Sequence, residues 1–91
     1  MEPYITLQQA KDHLRLDNDY NDTILEGLIH SVAPYIRQCT GLPYDVQKDM
    51  DLCVTTGLFL IRLWYYPEAG DSYRLRQVID SLMITLKTYN Y

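Results

Sequence analysis

The feature that most constrains the fold is a run of apolar residues that recurs every three or four positions. The residues with this spacing are Ile24, Leu25, Leu28, Ile29, Val32, Tyr35, Ile36 and Cys39. The period is that of an α-helix with a wide apolar face, whereas a half-buried strand would alternate. The run therefore predicts a long amphipathic helix. Pro34 removes one backbone hydrogen bond inside it, so we expect a bend near residues 30–31.

Both ends of this helix are marked in the sequence. The acidic segment DNDYND precedes it, and Asp19 or Asn21 is the expected N-cap because these side chains bond their own backbone. Asp22 is a further expected cap at this end. Gly41 is expected to end the helix in the left-handed conformation, and Pro43 prevents the helix from resuming.

A shorter helix is predicted before it, from about Leu7 to Arg15. Thr6 and Gln9 have the spacing of a capping box, in which each side chain accepts a hydrogen bond from the other residue's amide. Asp17 is expected to end this helix, since the turn-favouring segment starts there.

Two more helices are predicted in the second half. The third runs from about Val46 or Asp49 to Tyr66 and has apolar residues on most sides, as a central core helix does. After a polar turn, the fourth begins near Ser72. No convincing alternating pattern or repeat appears, so the predicted fold is an all-α bundle of about four helices in a single domain spanning residues 1–91.

Size and charge limit the possible functions. A chain of 91 residues has little room for a nucleotide-binding fold or a barrel, and its thin core favours oligomerisation. Eight Lys and Arg against twelve Asp and Glu give a net charge of −4, which disfavours nucleic-acid binding. The charge is −5 over residues 1–51 and +1 over residues 52–91. This asymmetry fits either a head-to-tail packing of subunits or simply an uneven surface.

The sequence also bears on compartment. The first residues form no secretion signal, so we expect synthesis in a cytoplasm. The most apolar stretch, residues 57–66, has about half of the roughly 20 residues that a membrane helix needs and contains Arg62, so no membrane partner is expected. Cys39 and Cys53 each lie in a predicted helix and are expected to be small buried thiols in a reducing compartment.

The sequence contains few candidate residues for metal binding or catalysis. His13, His30, Cys39 and Cys53 lack the spacing of metal ligands. The DNDYND segment resembles the start of a calcium loop, but it lacks the required glycine and Glu26 comes too early to be the bidentate ligand. The serines lack a nucleophile elbow, and no phosphate-binding glycine loop exists. We therefore predict no catalytic residue, metal or cofactor, and no enzyme activity.

Two binding functions remain open. Short helices joined by polar turns could form a small helical DNA-binding regulator, although basic residues are too few for a phosphate footprint. The tyrosines fit a protein interface, because a ring with a hydroxyl suits such a surface; they fit equally well as rings that close the ends of a small core. The candidate interface residues are Tyr44, Tyr65, Tyr66, Tyr73, Tyr89 and Tyr91.

The first half of the chain resembles a known family. It reads ITLQQAKDHLRLD, then Asn21-Asp22, an aliphatic helix, and Thr40-Gly41. This order resembles the head-tail connector proteins of tailed bacteriophages, also called head-completion or adaptor proteins. Their pattern is a T-x-x-x-A-K-x-H-L-R-[LIV]-D helix, an acidic turn, and a long helix that ends in Thr-Gly. The third and fourth helices match the family more loosely.

The resemblance implies a non-enzymatic virion assembly protein, since its motif residues Thr6, Asp17, Asp22 and Gly41 cap or end helices. It implies a ring, dodecameric in the virion, that docks beneath the portal protein, extends the DNA channel and receives the tail or a stopper protein. The implied location is the virion neck, after synthesis in the bacterial host cytoplasm from a phage or prophage gene. DNA would pass without sequence-specific binding, and an acidic wall would let it slide.

Overall fold

The computed structural model describes residues 2–89 and consists of helices joined by short turns. The helices are α1 (Leu7–Leu14), α2 (Asp22–Thr40), α3 (Tyr44–Gln47), α4 (Asp51–Tyr65) and α5 (Ser72–Lys87). No strand occurs within residues 2–89. The predicted all-α class is therefore confirmed, with one short helix more than the sequence pattern indicated.

The start of α1 is the predicted capping box. The Thr6 hydroxyl accepts from the Gln9 amide at 3.1 Å, and the Gln9 side chain accepts from the Thr6 amide at 2.8 Å. The helix ends at Arg15, which is left-handed at φ 58° and donates its amide to the Asp12 carbonyl. Asp17, expected to end the helix, lies beyond this turn. The expectation is corrected because Arg15 already takes the chain out of the helix.

The helix α2 contains Pro34 without interruption, while the bend near residues 30–31 stays a prediction. Asn21 is at the N-cap position, but its side chain does not cap the helix. Asp22, predicted to be a cap, is instead the first helical residue, where its carboxylate lies near the positive end of the helix dipole. Gly41 ends α2 in the left-handed conformation at φ 81°, as the sequence predicts.

Of the two starts predicted for the third helix, Asp49 lies two residues before the observed start of α4, whereas Val46 is wrong because it lies in the separate short helix α3. The short α3 begins at Tyr44, inside the predicted linker, and ends at Gln47, whereas α4 starts at Asp51. Between them Met50 is extended, with φ −108° and ψ 114°, which separates the two helices. The apolar pattern continues through this point, so periodicity alone did not locate the break.

The helix α4 is central, since it packs on α1, α2 and α5. The structure is flat, with extents of 40 × 30 × 18 Å. The core draws apolar side chains from the N-terminal segment, the α2–α3 connection and the four longer helices. Its buried members are Ile5, Ala10, Leu14, Leu25, Ile29, Val32, Ile36, Leu42, Cys53, Leu60, Ile61, Leu63, Ile79 and Leu86.

Candidate interaction surfaces

Two of the six candidate interface tyrosines make hydrogen bonds within the subunit. The Tyr44 hydroxyl donates to the Glu2 carbonyl, and the Tyr44 ring lies against that of Tyr4 with the centroids 6.0 Å apart. The Tyr65 hydroxyl accepts from the Asn21 side-chain amide at 2.7 Å. These tyrosines therefore fasten the N-terminal segment and the acidic loop to the helical bundle.

Three of the others are exposed. Tyr66 packs edge-on against Tyr65, with 4.7 Å between the ring centroids. Tyr73 lies in the first turn of α5 and Tyr89 beyond the last turn, so about 24 Å of helix separates them. Tyr91 lies outside the described residues. Tyr73 and Tyr89 therefore lie at opposite ends of α5.

A largely apolar groove runs along α2, beside the N-terminal segment and α3. Its cavity has a volume of about 170 Å³. Two hollows that share its residues continue it, one toward Glu26 and the other toward Arg37. These two residues are eleven positions apart, so the groove follows about 16 Å of helix. We call this surface the α2 groove and define it by Glu2, Pro3, Tyr4, Ala33, Pro34 and Tyr44.

Gln47 holds α3 against the wall of this groove. Its side chain is fully buried, accepts from the Tyr4 hydroxyl at 2.5 Å, and donates to the carbonyls of Leu42 at 2.7 Å and Ala33 at 3.1 Å. Burial raises the pKa of the Tyr4 hydroxyl, which therefore keeps its proton and remains a donor. A buried amide with these partners fixes the groove wall in place.

A second apolar surface lies where α2 and α5 meet. Tyr35, Met83 and Ile84 border one cleft, and Ile84 is 66% exposed despite its aliphatic side chain. Ile24 is also exposed and lies on the same side of α2 as Tyr35, because eleven residues make about three turns. The Tyr35 ring is supported edge-on by Trp64, with 5.3 Å between the centroids. We call this surface the α2/α5 face and define it by Ile24, Tyr35, Met83 and Ile84.

One cation joins the acidic loop to α1. The Lys11 ammonium nitrogen lies 2.7 Å from a carboxylate oxygen of Asp19 and 3.1 Å from one of Asp22. These hydrogen bonds raise the pKa of Lys11, and the bond from Lys11 lowers the pKa of Asp19. The sequence reading missed this cluster. The sequence does contain a signal for it. Lys11 lies four residues after Leu7 and three before Leu14, so the helical period puts a cation on the buried side of α1.

The histidines and cysteines are the residues that the sequence offers as candidate metal ligands. No group of three or more His, Cys, Asp or Glu side chains within residues 2–89 is placed to hold a metal ion. Cys39 and Cys53 are free thiols, and burial raises the pKa of Cys53 to about 11. The prediction that both thiols are buried is wrong for Cys39, which is exposed on α2. His13 lies beside Phe59, and burial, followed by the nearby charge of Arg62, lowers its pKa. None of the helices in this part of the chain is long and apolar enough to cross a bilayer.

The comparison with known families decides the assignment. A family model described as phage gp6-like head-tail connector protein matches residues 4–90, which include all five helices. The chain belongs to this head-tail connector family. The resemblance noted between Ile5 and Gly41 is thereby confirmed and extended over nearly the whole connector. A search of curated proteins and of solved structures gives no significant match.

Family membership gives this connector a structural role in phage assembly at the head-tail junction. Its two apolar surfaces lie on different sides of α2. At 100° per residue, the groove residues Ala33 and Pro34 are about 160° and about 100° around the helix from Tyr35. The connector therefore carries two dissimilar apolar surfaces on different sides of α2.

Proposed function

We propose that this connector is one subunit of a ring that docks beneath the portal protein of a DNA-filled capsid. The ring, dodecameric in the virion, extends the DNA channel and receives the tail or a stopper protein. The observation that carries the proposal is the family match over residues 4–90. The flat subunit, 18 Å in its shortest dimension, has the broad sides that neighbours in a ring need.

Exposed apolar surface supports an assembly role. Monomeric proteins rarely leave extended apolar patches in water, and such patches usually mark contacts with other molecules. The connector exposes the α2 groove and the α2/α5 face. Tyr66, Tyr73 and Tyr89 lie outside both surfaces and remain candidates for contacts with the portal, the tail or a neighbouring subunit.

The acidic balance suits a wall around moving DNA. Affinity for duplex DNA comes mainly from Lys and Arg that neutralise phosphates, and the connector has a net charge of −4. A ring of such subunits would let DNA slide without sequence-specific binding. Sequence-specific duplex binding at low salt would instead favour a small helical DNA-binding regulator.

The proposal is tested by assembly of the purified chain. We expect closed rings, alone at high concentration or on added portal protein from the same phage or prophage. Light scattering gives the mass in solution, and negative-stain electron microscopy shows the ring. Strictly monomeric behaviour under both conditions would contradict the proposed function.

A further inference from the structure

We infer that neighbouring connector subunits join head to tail, with the α2/α5 face of one copy seated in the α2 groove of the next. The inference rests on the proposed ring and names the two surfaces that would build it. The occupant of the groove is thus a second copy of this chain.

The placement of the two surfaces suits this arrangement. A head-to-tail interface joins two different patches, and repeating it around a closed rotation gives a ring, whereas a two-fold interface joins a patch to itself and gives a dimer. The groove and the face lie on different sides of α2. Each subunit can therefore contact one neighbour on each side.

Their shapes correspond. The groove is concave and follows about 16 Å of α2. On the face, Ile84 lies beside Tyr35 with 66% of its surface exposed. These exposed apolar side chains are of the kind that an apolar hollow receives.

Their charges are complementary. Glu26 lies at one end of the groove and Arg37 at the other, with Glu2 beside the central cavity. Asp80 and Lys87 border the cleft of the α2/α5 face and are two turns apart on one side of α5. With α5 running opposite to the neighbour's α2, Lys87 meets the acidic end and Asp80 meets Arg37.

The subunit also has enough surface for two such contacts. A stable interface of ordinary size covers roughly 800 Å² per partner, so a ring subunit with two neighbours would bury about 1,600 Å². The accessible surface of the connector is 6051 Å². About a quarter of it would be covered, which leaves the remainder for the portal and the tail.

Two variants, each blocked on one surface, test the inference. Ile84→Glu puts a carboxylate on the face, and Pro34→Glu puts one on the rim of the groove. Both positions are exposed, and Pro34→Glu returns an amide hydrogen to α2, so folding should persist. We expect each variant to lose ring assembly, with association at least about tenfold weaker. Thr55→Glu, exposed on α4 and outside both surfaces, is the matched control and should assemble like the unmodified chain.

Mixing the two variants gives the decisive result. The Ile84→Glu variant keeps an intact groove, and the Pro34→Glu variant keeps an intact face, so in a head-to-tail interface these two surfaces can still join. The face of Ile84→Glu and the groove of Pro34→Glu each carry a new carboxylate and cannot. We expect a heterodimer of twice the 10.7 kDa subunit mass by size-exclusion chromatography with light scattering. A mixture that stays monomeric, with both variants folded by circular dichroism, would overturn the inference.

Other outcomes separate the inference from the proposed function. If both variants form rings as the unmodified chain does, the interface lies elsewhere and only the inference is overturned. If the unmodified chain makes no ring even on portal, the proposed function fails and the inference with it. If a variant is unfolded, Ile24→Glu on the face and His30→Glu in the groove repeat the test at other exposed positions.

Discussion

Gly57 of α4 and Val32 of α2 are so close that a Cβ at position 57 would lie 2.7 Å from the Val32 Cγ1. It would also lie 2.5 Å from the Cδ1 of Ile5. The end of the Ile5 side chain can rotate away. Val32 is buried and β-branched, which leaves it essentially one rotamer in a helix. Any side chain at position 57 therefore forces α2 and α4 apart.

Gly57→Ala should lower the free energy of unfolding by about 1–3 kcal/mol, the usual cost of overpacking a core. This loss is expected although alanine is the better helix former. Gly27→Ala is the matched control in α2, since a Cβ there meets nothing within 4 Å. It should raise the free energy of unfolding by about 0.5–1 kcal/mol. Urea unfolding followed by circular dichroism measures both, and equal gains for the two variants would contradict the close approach.

The sequence could predict the features that depend on neighbouring residues. The capping box of Thr6 and Gln9 spans one helical turn, and Gly41 follows directly on the helix that it ends. The short helix α3 is not predicted by the sequence pattern, because it accompanies contacts of Gln47 with distant residues. The partners of its side chain include Ala33, 14 positions away, and Tyr4, 43 positions away. Periodicity does not register contacts of that range.

The candidate surfaces were predicted only in part for the same reason. The candidate tyrosines share a residue type and a position in or beside predicted turns or at the terminus, yet the hydroxyls of Tyr44 and Tyr65 find partners 42 and 44 positions away within the subunit. The α2 groove forms because the N-terminal segment and α3 both meet α2. Its residues carry no common sequence signal. By contrast, the charge asymmetry that suggested head-to-tail packing could be counted directly from the sequence.

Gln47→Leu should lower the free energy of unfolding by about 1–3 kcal/mol, because it leaves the buried carbonyl of Leu42 and the hydroxyl of Tyr4 without their partner. Tyr4→Phe removes only the hydroxyl and should cost less. Both single variants remove the same hydrogen bond between Tyr4 and Gln47. The double variant should therefore lose less free energy of unfolding than the sum of the losses in the two single variants. A double-mutant cycle by urea unfolding measures the coupling, and strict additivity would mean that the two side chains act independently.

Lys11→Met should loosen the acidic loop, because Asp19 and Asp22 lose their shared cation. Hydrogen exchange should quicken in residues 16–21.

The pairing should also make stability depend on pH. Because the pKa of Lys11 is raised in the folded chain, its contribution to the free energy of unfolding is present at neutral pH. That contribution is lost as the pH rises beyond about 10.4, the pKa of lysine in the unfolded chain. The lowered pKa of Asp19 means that its contribution is lost as the pH falls below about 3.9. The stability difference between the unmodified chain and Lys11→Met should therefore be flat near pH 7 and shrink at both extremes. An unchanged difference at acidic pH would exclude the pairing with Asp19.

His13 should make the connector less stable as the medium becomes acidic. Burial against α4 and the charge of Arg62 lower its pKa, so the folded chain takes up the proton less readily than the unfolded chain. Neutral His13 contributes fully to the free energy of unfolding above about pH 6.5, the pKa of histidine in the unfolded chain. This contribution is lost as the pH falls from there toward the lower pKa of His13 in the folded chain. Unfolding midpoints in urea between pH 7.5 and 5 measure this slope. His13→Gln should reduce it, and His30→Gln, at the exposed histidine of α2, is the matched control. The same slope in His13→Gln as in the unmodified chain would mean that another group governs the acid response.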